Sequence, residues 1–313
     1  MPARLLNGND IAEEIKNELV PAIAELKSHG VIPGLAAVLV GDNPASQIYV
    51  RSKVRACEAL GLYSEKIELP ASTGTAELLR LVDELNSRDQ IDGILIQLPL
   101  PPGVDSKAVL LAMDPAKDVD GLHPINMGNL LAGRPGIIPC TPAGIIQILD
   151  RSQIPIHGAR AVVIGRSDMV GKPTALLLLQ RNATVTICHS QTPHLPYIAR
   201  EADILVAAIG KPALVNWDFI KPGSTVIDVG TSRLTTPEQV RAIFLEPKEA
   251  LETLAAKGSL LIGDVQPEDA REKAGAYTPV PGGVGPLTIA MLMANTVRAA
   301  RSRRAINPSV AAN

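Results

Sequence analysis

The chain has 313 residues, 46% of them hydrophobic and 20% charged, a balance that excludes wholesale disorder at a length with room for two domains. A formal net charge of −2, with lysines and arginines dispersed except in the tail, excludes the electrostatic footprint of a nucleic-acid binder and favours a small-molecule partner. No uncharged apolar stretch approaches the ~18 residues of a membrane span, the start lacks a basic segment followed by an apolar core, and Cys57, Cys140 and Cys188 are too far apart for a disulfide framework or a zinc motif; a cytoplasmic protein with free thiols, no membrane partner and no metal is expected.

Along the chain, Ile11, Ile15, Leu19, Ile23 and Leu26 recur at three- and four-residue spacings, which predicts an amphipathic helix from 9 to about 29, stopped by Gly30. GLAAVLVG, short and ending in Gly41, reads as a buried strand, and a helix should follow over 44–60 with Pro44 in its first turn and Gly61 closing it. EKIELP, TAELLRLVDELN and GILIQLPLPP continue as strand, helix and strand, so a mainly parallel sheet covered on both faces is expected. The proline- and glycine-rich HPINMGNLLAGRPGIIPCTPAG reads as a loop-rich crossing, with TPAGIIQILD opening a helix. From Ala159, ARAVVIG, KPTALLLLQ, ATVTICHS, EADILVAAIG, GSTVIDVG and SLLIGDV repeat the alternation with the strand count of a doubly wound nucleotide domain. GPLTIAMLMANTVRAARSRR is a final helix expected to return to the first domain.

The fold class is therefore α/β, with two α/β domains, the second a Rossmann-type doubly wound sheet, and a cleft between them. Residues 1–140, completed by the helix 284–303, form the first; 141–283 form the second; 304–313 is a flexible tail.

The segment ARAVVIGRSDMVGKPTALLLL is a strand, a tight loop and a helix, the context in which a dinucleotide fold holds its pyrophosphate. Gly165 ends the strand and Gly171 lies where the helix must approach it closely, while Ser167 replaces the middle glycine of the usual fingerprint, leaving an ordinary strand-to-helix turn as the rival reading. The next strand carries no Asp or Glu at its end, only His189 and Ser190, and Arg166 stands in the loop. A 2'-phosphate would meet a guanidinium and a hydroxyl there, which predicts NADP over NAD. In the helix PASQIYVRSKVRACEALG, Tyr49, Lys53 and Cys57 are four apart and share a face; Gln97 ends a buried strand, and KDVDGLHP places Asp120 in a polar loop.

The stretches SQIYVRSKVRACEALG, DGILIQLPLP, DPAKDVDGLHPIN, PCTPAG, VVIGRSDMVGKP, ATVTICHSQT, AAIGKP, STVIDVG, LIGDV and TPVPGGVGPLTIAML, in that order over about residues 40–293, resemble the bifunctional methylenetetrahydrofolate dehydrogenase/methenyltetrahydrofolate cyclohydrolase family. The resemblance implies NADP-dependent oxidation of methylenetetrahydrofolate and hydrolysis of the methenyl product, with tetrahydrofolate derivatives as partners and a homodimer as the assembly. It implies Lys53 as the central acid/base group, Tyr49 against the folate ring system, Gln97 orienting Lys53 and Asp120 on the pterin, with Leu98, Pro99, Pro279, Gly282 and Gly283 lining the substrate. It places Gly165, Arg166, Ser167, Val170, Gly171, His189, Ser190, Ala208, Gly210, Gly230 and Thr231 on the cofactor. A lysine can exchange protons near neutral pH only if partial burial or a neighbouring cation lowers its pKa, so partial burial of Lys53 is part of the expectation.

Gln266 and Pro267 stand where relatives carry an apolar residue after GDV, and Leu287 replaces a frequent methionine. RLTTPEQVRAIFLEPKEALETLAAKGS is longer than the corresponding link of relatives and reads as an external helical excursion, with Thr236 starting one helix and Gly258 ending another. His123 reads as a structural hydrogen-bonding residue, and Asp228 and Asp264, which end strands, read as residues that cap turns or face the cleft rather than acid/base groups, with Asp264 kept as a weak site candidate.

Overall fold

The computed structural model describes residues 3–244 and 246–306. In chain order it contains β1 (Arg4–Leu5), α1 (Gly8–Ser28), β2 (Gly34–Val40), α2 (Pro44–Leu60), β3 (Tyr63–Leu69), α3 (Thr75–Ser87), β4 (Gly93–Ile96), α4 (Ser106–Ala112), α5 (Pro124–Leu131) and α6 (Cys140–Arg151). There follow β5 (Arg160–Ile164), α7 (Gly171–Gln180), β6 (Thr184–Cys188), α8 (Leu195–Ala199), β7 (Ile204–Ala207), β8 (Thr225–Asp228), β9 (Ser232–Leu234), α9 (Pro237–Ile243), α10 (Lys248–Lys257), β10 (Leu260–Ile262), α11 (Pro267–Lys273), β11 (Ala276–Tyr277) and α12 (Val284–Arg303). Of the tail expected over 304–313, residues 307–313 lie outside the described residues.

The chain divides into two compact units, Ala12–Cys140 with the residues from Thr288 on, and the residues up to Ile11 with Thr141–Leu287. In the first, three parallel strands run in the order β3-β2-β4. The central β2 is buried at every position, as a strand covered on both faces must be, which is why it reads as a continuous apolar run. One face packs on a core that includes Ile23, Leu26, Val50, Cys57 and Met293; the other packs Val38 and Ile94 against Leu78, Val82 and Leu85 of α3. Asp92, fully buried before β4, accepts from the guanidinium groups of Arg303 and Arg304, which fixes the end of α12 in this unit.

In the second unit six parallel strands run in the order β1-β11-β8-β7-β5-β6. Two assignments differ from the sequence expectation. The N-terminal residues, expected in the first domain, supply β1 to this sheet beside β11; both strands are two residues long, too short for periodicity to reveal. The SLLIGDV segment, expected in the doubly wound sheet, instead pairs antiparallel with β9 in a separate two-stranded sheet, and β11 takes the place beside β8. The excursion is helical as expected: Thr236 and Gln239 form a reciprocal capping box at the start of α9, and Val240 and Leu254 close a small core with Leu234 and Ile262. The supposed loop after His123 contains α5, because Pro124 sits at its first turn, where a missing N–H costs nothing.

Candidate functional site

In each unit, side chains gather at the carboxyl ends of parallel strands, where open α/β sheets present ligand-binding groups. In the three-stranded unit α2 starts at Asn43, whose Oδ1 accepts from Ala45 N at 3.0 Å and Ser46 N at 3.1 Å, and stops at Gly61 in the left-handed region. Exposure along its stripe falls from 39% at Tyr49 to 7% at Lys53 and zero at Cys57, so the ammonium stands where the stripe passes from solvent to core. Lys53 Nζ donates to Gln97 Oε1 at 3.1 Å. Gln97 immediately follows β4; its backbone N–H donates to Val38 O at 2.9 Å and its Nε2 to Leu98 O at 2.8 Å. That last bond orients the amide, since the flipped amide would turn two N–H donors toward an ammonium that can only donate. Leu98 and Pro99 follow, half-buried and exposed.

Asp120 is half-buried in a loop held from several sides. Lys117 Nζ donates to the carbonyls of Leu85 at 2.9 Å, Asn86 at 2.7 Å and Arg88 at 2.7 Å. Asp118 Oδ2 accepts from His123 N at 2.7 Å and Asn126 Nδ2 at 2.8 Å, and burial pushes this carboxyl above the ordinary range. Gly121, at φ 74°, lies so close to Ile138 and Pro139 that a Cβ would meet Pro139 N at 2.6 Å. Behind Asp120, Asn295 Nδ2 donates to Val119 O and Ile138 O, both at 2.9 Å, and Cys140 Sγ donates to Val119 O at 3.3 Å. The Cys140 thiol is held well above its ordinary pKa by burial and then by the charge of Asp120, while the Lys53 ammonium opposes the shift. His123 does structural work: its Nδ1 accepts from Ile125 N at 3.1 Å at the start of α5.

In the six-stranded unit the carboxyl ends of β5, β6, β7 and β8 carry the other set. Gly165 takes φ 128°, and a Cβ there would lie 2.1 Å from Ala208 O; one on Gly171 would lie 2.2 Å from Gly165 O. Backbone thus packs on backbone across the loop and into α7. Ser167, in the place of a glycine, accepts from Val170 N at 3.2 Å and Gly171 N at 3.4 Å through its hydroxyl. Arg166 is exposed with no hydrogen-bond partner among the described residues. After β6 His189 N donates to Thr192 Oγ1 at 2.9 Å and Gln191 N to His189 Nδ1 at 3.2 Å, a turn that leaves Ser190 exposed. Ala208 N donates to Ile164 O at 2.8 Å, and Gly210 and Gly230 follow β7 and β8, with Thr231 next. After β11 come Pro279, Gly282 at φ 98° and Gly283, and Gly8 packs so closely that a Cβ would sit 1.7 Å from Gly283 O.

Sequence reasoning did not single out Asn295, Cys140, Asp118 or Lys117 as parts of the Asp120 support. Asn295 gave a signal, a lone amide in the apolar run MLMANTV, which is where a buried polar group with fixed partners is expected.

Residues 6–120 match the family model of the tetrahydrofolate dehydrogenase/cyclohydrolase catalytic domain, and residues 139–304 match that of its NAD(P)-binding domain. The chain is 59% identical over 304 residues to a bifunctional FolD protein of Koribacter versatilis, covering 97% of this chain and 99% of the relative. Among solved structures it is similar to the FolD methylenetetrahydrofolate dehydrogenase/cyclohydrolase of Campylobacter jejuni, with 42% identity, a TM-score of 0.87 and coverage of 96% and 99%. It is also similar to the Trypanosoma brucei enzyme complexed with NADP and an inhibitor, with 39% identity, a TM-score of 0.88 and coverage of 97% and 99%.

Proposed function

The chain belongs to the tetrahydrofolate dehydrogenase/cyclohydrolase family, and from that premise we propose a division of its chemistry among named residues. The protein oxidises methylenetetrahydrofolate with NADP and hydrolyses the methenyl product to formyltetrahydrofolate. NADP suits the six-stranded unit: at Gly165 and Gly171 backbone packs on backbone where any side chain would collide, which keeps the strand-to-helix loop tight, and the end of β6 presents Ser190 and no carboxylate. Arg166 and Ser190 are assigned to the 2'-phosphate, and Ser167, Val170, His189, Ala208, Gly210, Gly230 and Thr231 to the rest of the cofactor. When bound, NADP takes up the hydride that leaves the methylene bridge.

The hydrolytic step needs proton traffic. Water adds to the methenyl carbon, a ring carbon–nitrogen bond opens, and of the two protons the water loses one ends on the released nitrogen and one in solvent. Lys53 is assigned to these transfers, with Gln97 holding its Nζ in place. Asp120 binds the donor edge of the pterin, Tyr49 lies against its ring system, and Leu98, Pro99, Pro279, Gly282 and Gly283 line the substrate. The single observation that carries this reading is a lysine 7% exposed, hydrogen-bonded at 3.1 Å to a glutamine at the end of a parallel strand.

Further, we assign the protein to the cytoplasm as a homodimer whose formyl product serves purine biosynthesis. Support for the compartment is that all three cysteines are buried free thiols and that no described helix is long and apolar enough to cross a membrane. The dimer and the metabolic use rest on the family resemblance. Purified protein given methylenetetrahydrofolate and NADP, followed by absorbance, tests the reading: methenyl compound should form and then decay. Formation without decay would leave a dehydrogenase alone, and neither would leave a binding protein.

A further inference from the structure

Two acids of the six-stranded unit, Asp228 and Asp264, are 5% and 0% exposed, and no lysine or arginine pairs with either among the described residues. Burying carboxylates without a cation is costly, and a turn that needed only to be filled would use an apolar or hydroxyl side chain. What these two hold is backbone from several loops. Asp264 Oδ2 accepts from Ile209 N at 2.6 Å and Gly210 N at 2.9 Å, directly beyond β7. Asp228 Oδ1 accepts from Gly230 N at 2.9 Å and Asp264 N at 2.8 Å, and its Oδ2 accepts from Val265 N at 3.0 Å. The Asp228 N–H donates in turn to Thr278 Oγ1 at 2.8 Å, one residue before Pro279.

The packing between them is equally close. A Cβ on Gly230 would lie 2.4 Å from Asp264 Oδ1, and one on Gly263 would lie 1.8 Å from Asp228 Oδ2. Asp264 Oδ1 is buried and has no hydrogen-bond partner among the described residues, so one of its oxygens holds two N–H groups while the other, close to Gly230, holds none. The loops tied together in this way, 208–210 and 229–231, are those assigned above to the dinucleotide.

We infer that Asp228 and Asp264 are positioning residues that set the backbone of the 208–210 and 229–231 loops for NADP binding, and hence for the oxidative reaction in preference to the hydrolytic one. The inference rests on the assignment of those loops to the cofactor. Five N–H groups from three loops point into two carboxylates, so moving either acid releases donors that can then reorient only with the loop itself.

The chemistry separates two nearly isosteric substitutions. At Asp264 an asparagine can keep its carbonyl oxygen on Ile209 N and Gly210 N and turn its Nδ2 toward the oxygen position that has no partner. At Asp228 both oxygens accept, so at about pH 8, where the carboxyl is ionised and the comparison is made, an amide Nδ2 would face a backbone N–H whichever way it turned.

The test compares Asp264→Ala, Asp264→Asn and Asp228→Asn with the unaltered protein. NADP dissociation constants are measured by isothermal titration, amide exchange is followed at residues 209 and 210, and both activities are assayed, the hydrolytic one with methenyl compound in the absence of NADP. Asp264→Ala and Asp228→Asn are expected to weaken NADP binding at least tenfold, to lower the ratio of oxidative to hydrolytic kcat/KM at least tenfold through the KM for NADP, and, in Asp264→Ala, to speed exchange at both amides. Asp264→Asn is expected to restore binding to within about threefold. Parallel loss of both activities with an unchanged ratio, or an asparagine at 264 as damaging as an alanine, overturns the inference. If Asp264→Ala fails to fold, the contrast between the two asparagine variants decides alone. Failure of the unaltered protein to reduce NADP would instead sink the functional reading beneath it.

Discussion

Gln97 accepts from Lys53 Nζ with Oε1 at 3.1 Å while its own Nε2 is engaged by Leu98 O at 2.8 Å, so the lysine meets an acceptor that cannot rotate away. The amine is held by a neutral group, where a carboxylate would have bound it as an ion pair. Positioned acid/base groups contribute roughly 10²–10⁴-fold to such reactions. Lys53→Met should therefore lower hydrolysis of the methenyl compound by about 10³-fold or more, which absorbance decay measures directly. Hydrolysis at the original rate would remove Lys53 from the mechanism.

Cofactor choice has its own test. Arg166 is exposed without a hydrogen-bond partner among the described residues, and β6 is followed by His189 and Ser190 rather than an acid. A charge-assisted hydrogen bond contributes about 1.5–3 kcal/mol, so Arg166→Ala should lower the ratio of NADP to NAD kcat/KM by roughly 10- to 100-fold. Steady-state kinetics with both dinucleotides measures it. An equal loss with the two would show that Arg166 does not read the 2'-phosphate.

Much of this site was legible because its parts are local. The bounds of α2 were readable from Pro44 and Gly61, which set φ or tolerate the left-handed region, and the Tyr49–Lys53–Cys57 stripe follows from helical spacing alone. The partner of Lys53 was readable only as a position, since a glutamine at the end of a strand could face either way until Leu98 O fixes its amide. The support of Asp120 was not readable, because Asn295 reaches Val119 across 176 residues of sequence and no periodicity encodes that meeting. The same holds for β1 and β11, whose pairing is a long-range backbone contact between dipeptides. SLLIGDV was misassigned because a short apolar strand looks the same whether its neighbour is parallel or antiparallel.

Lys117 supports the loop of Asp120 from behind. It is 1% exposed, with its ammonium on three carbonyls at the end of α3, and burial first, then Arg303, lowers its pKa to about 8. Lys117→Met removes the donor and leaves the Leu85, Asn86 and Arg88 carbonyls to be satisfied otherwise, at a cost of about 3 kcal/mol in unfolding free energy. Urea denaturation measures this. A variant within about 0.5 kcal/mol of the parent would mean that solvent replaces the ammonium.

Asp228 predicts a pH dependence whose sign is fixed. Burial pushes its carboxyl from the ordinary 3.8 to about 7, with the charge of Asp264 adding to the rise and the amides of Val265, Asp264 and Gly230 opposing it. Between those values the folded chain holds a proton that the unfolded chain has released, so this group's contribution to stability is full below about pH 4, falls as pH rises, and levels off above about pH 7. The slope is at most about 1.4 kcal/mol per pH unit. Urea unfolding of the cofactor-free protein at pH 5, 6, 7 and 8, alongside Asp228→Asn, isolates it, because the variant has no proton to lose there. Stability of the parent relative to the variant should fall by about 2 kcal/mol from pH 5 to 7 and change little beyond pH 8. Parallel curves for the two proteins would mean that Asp228 is ionised throughout, its charge carried by the amide hydrogen bonds alone.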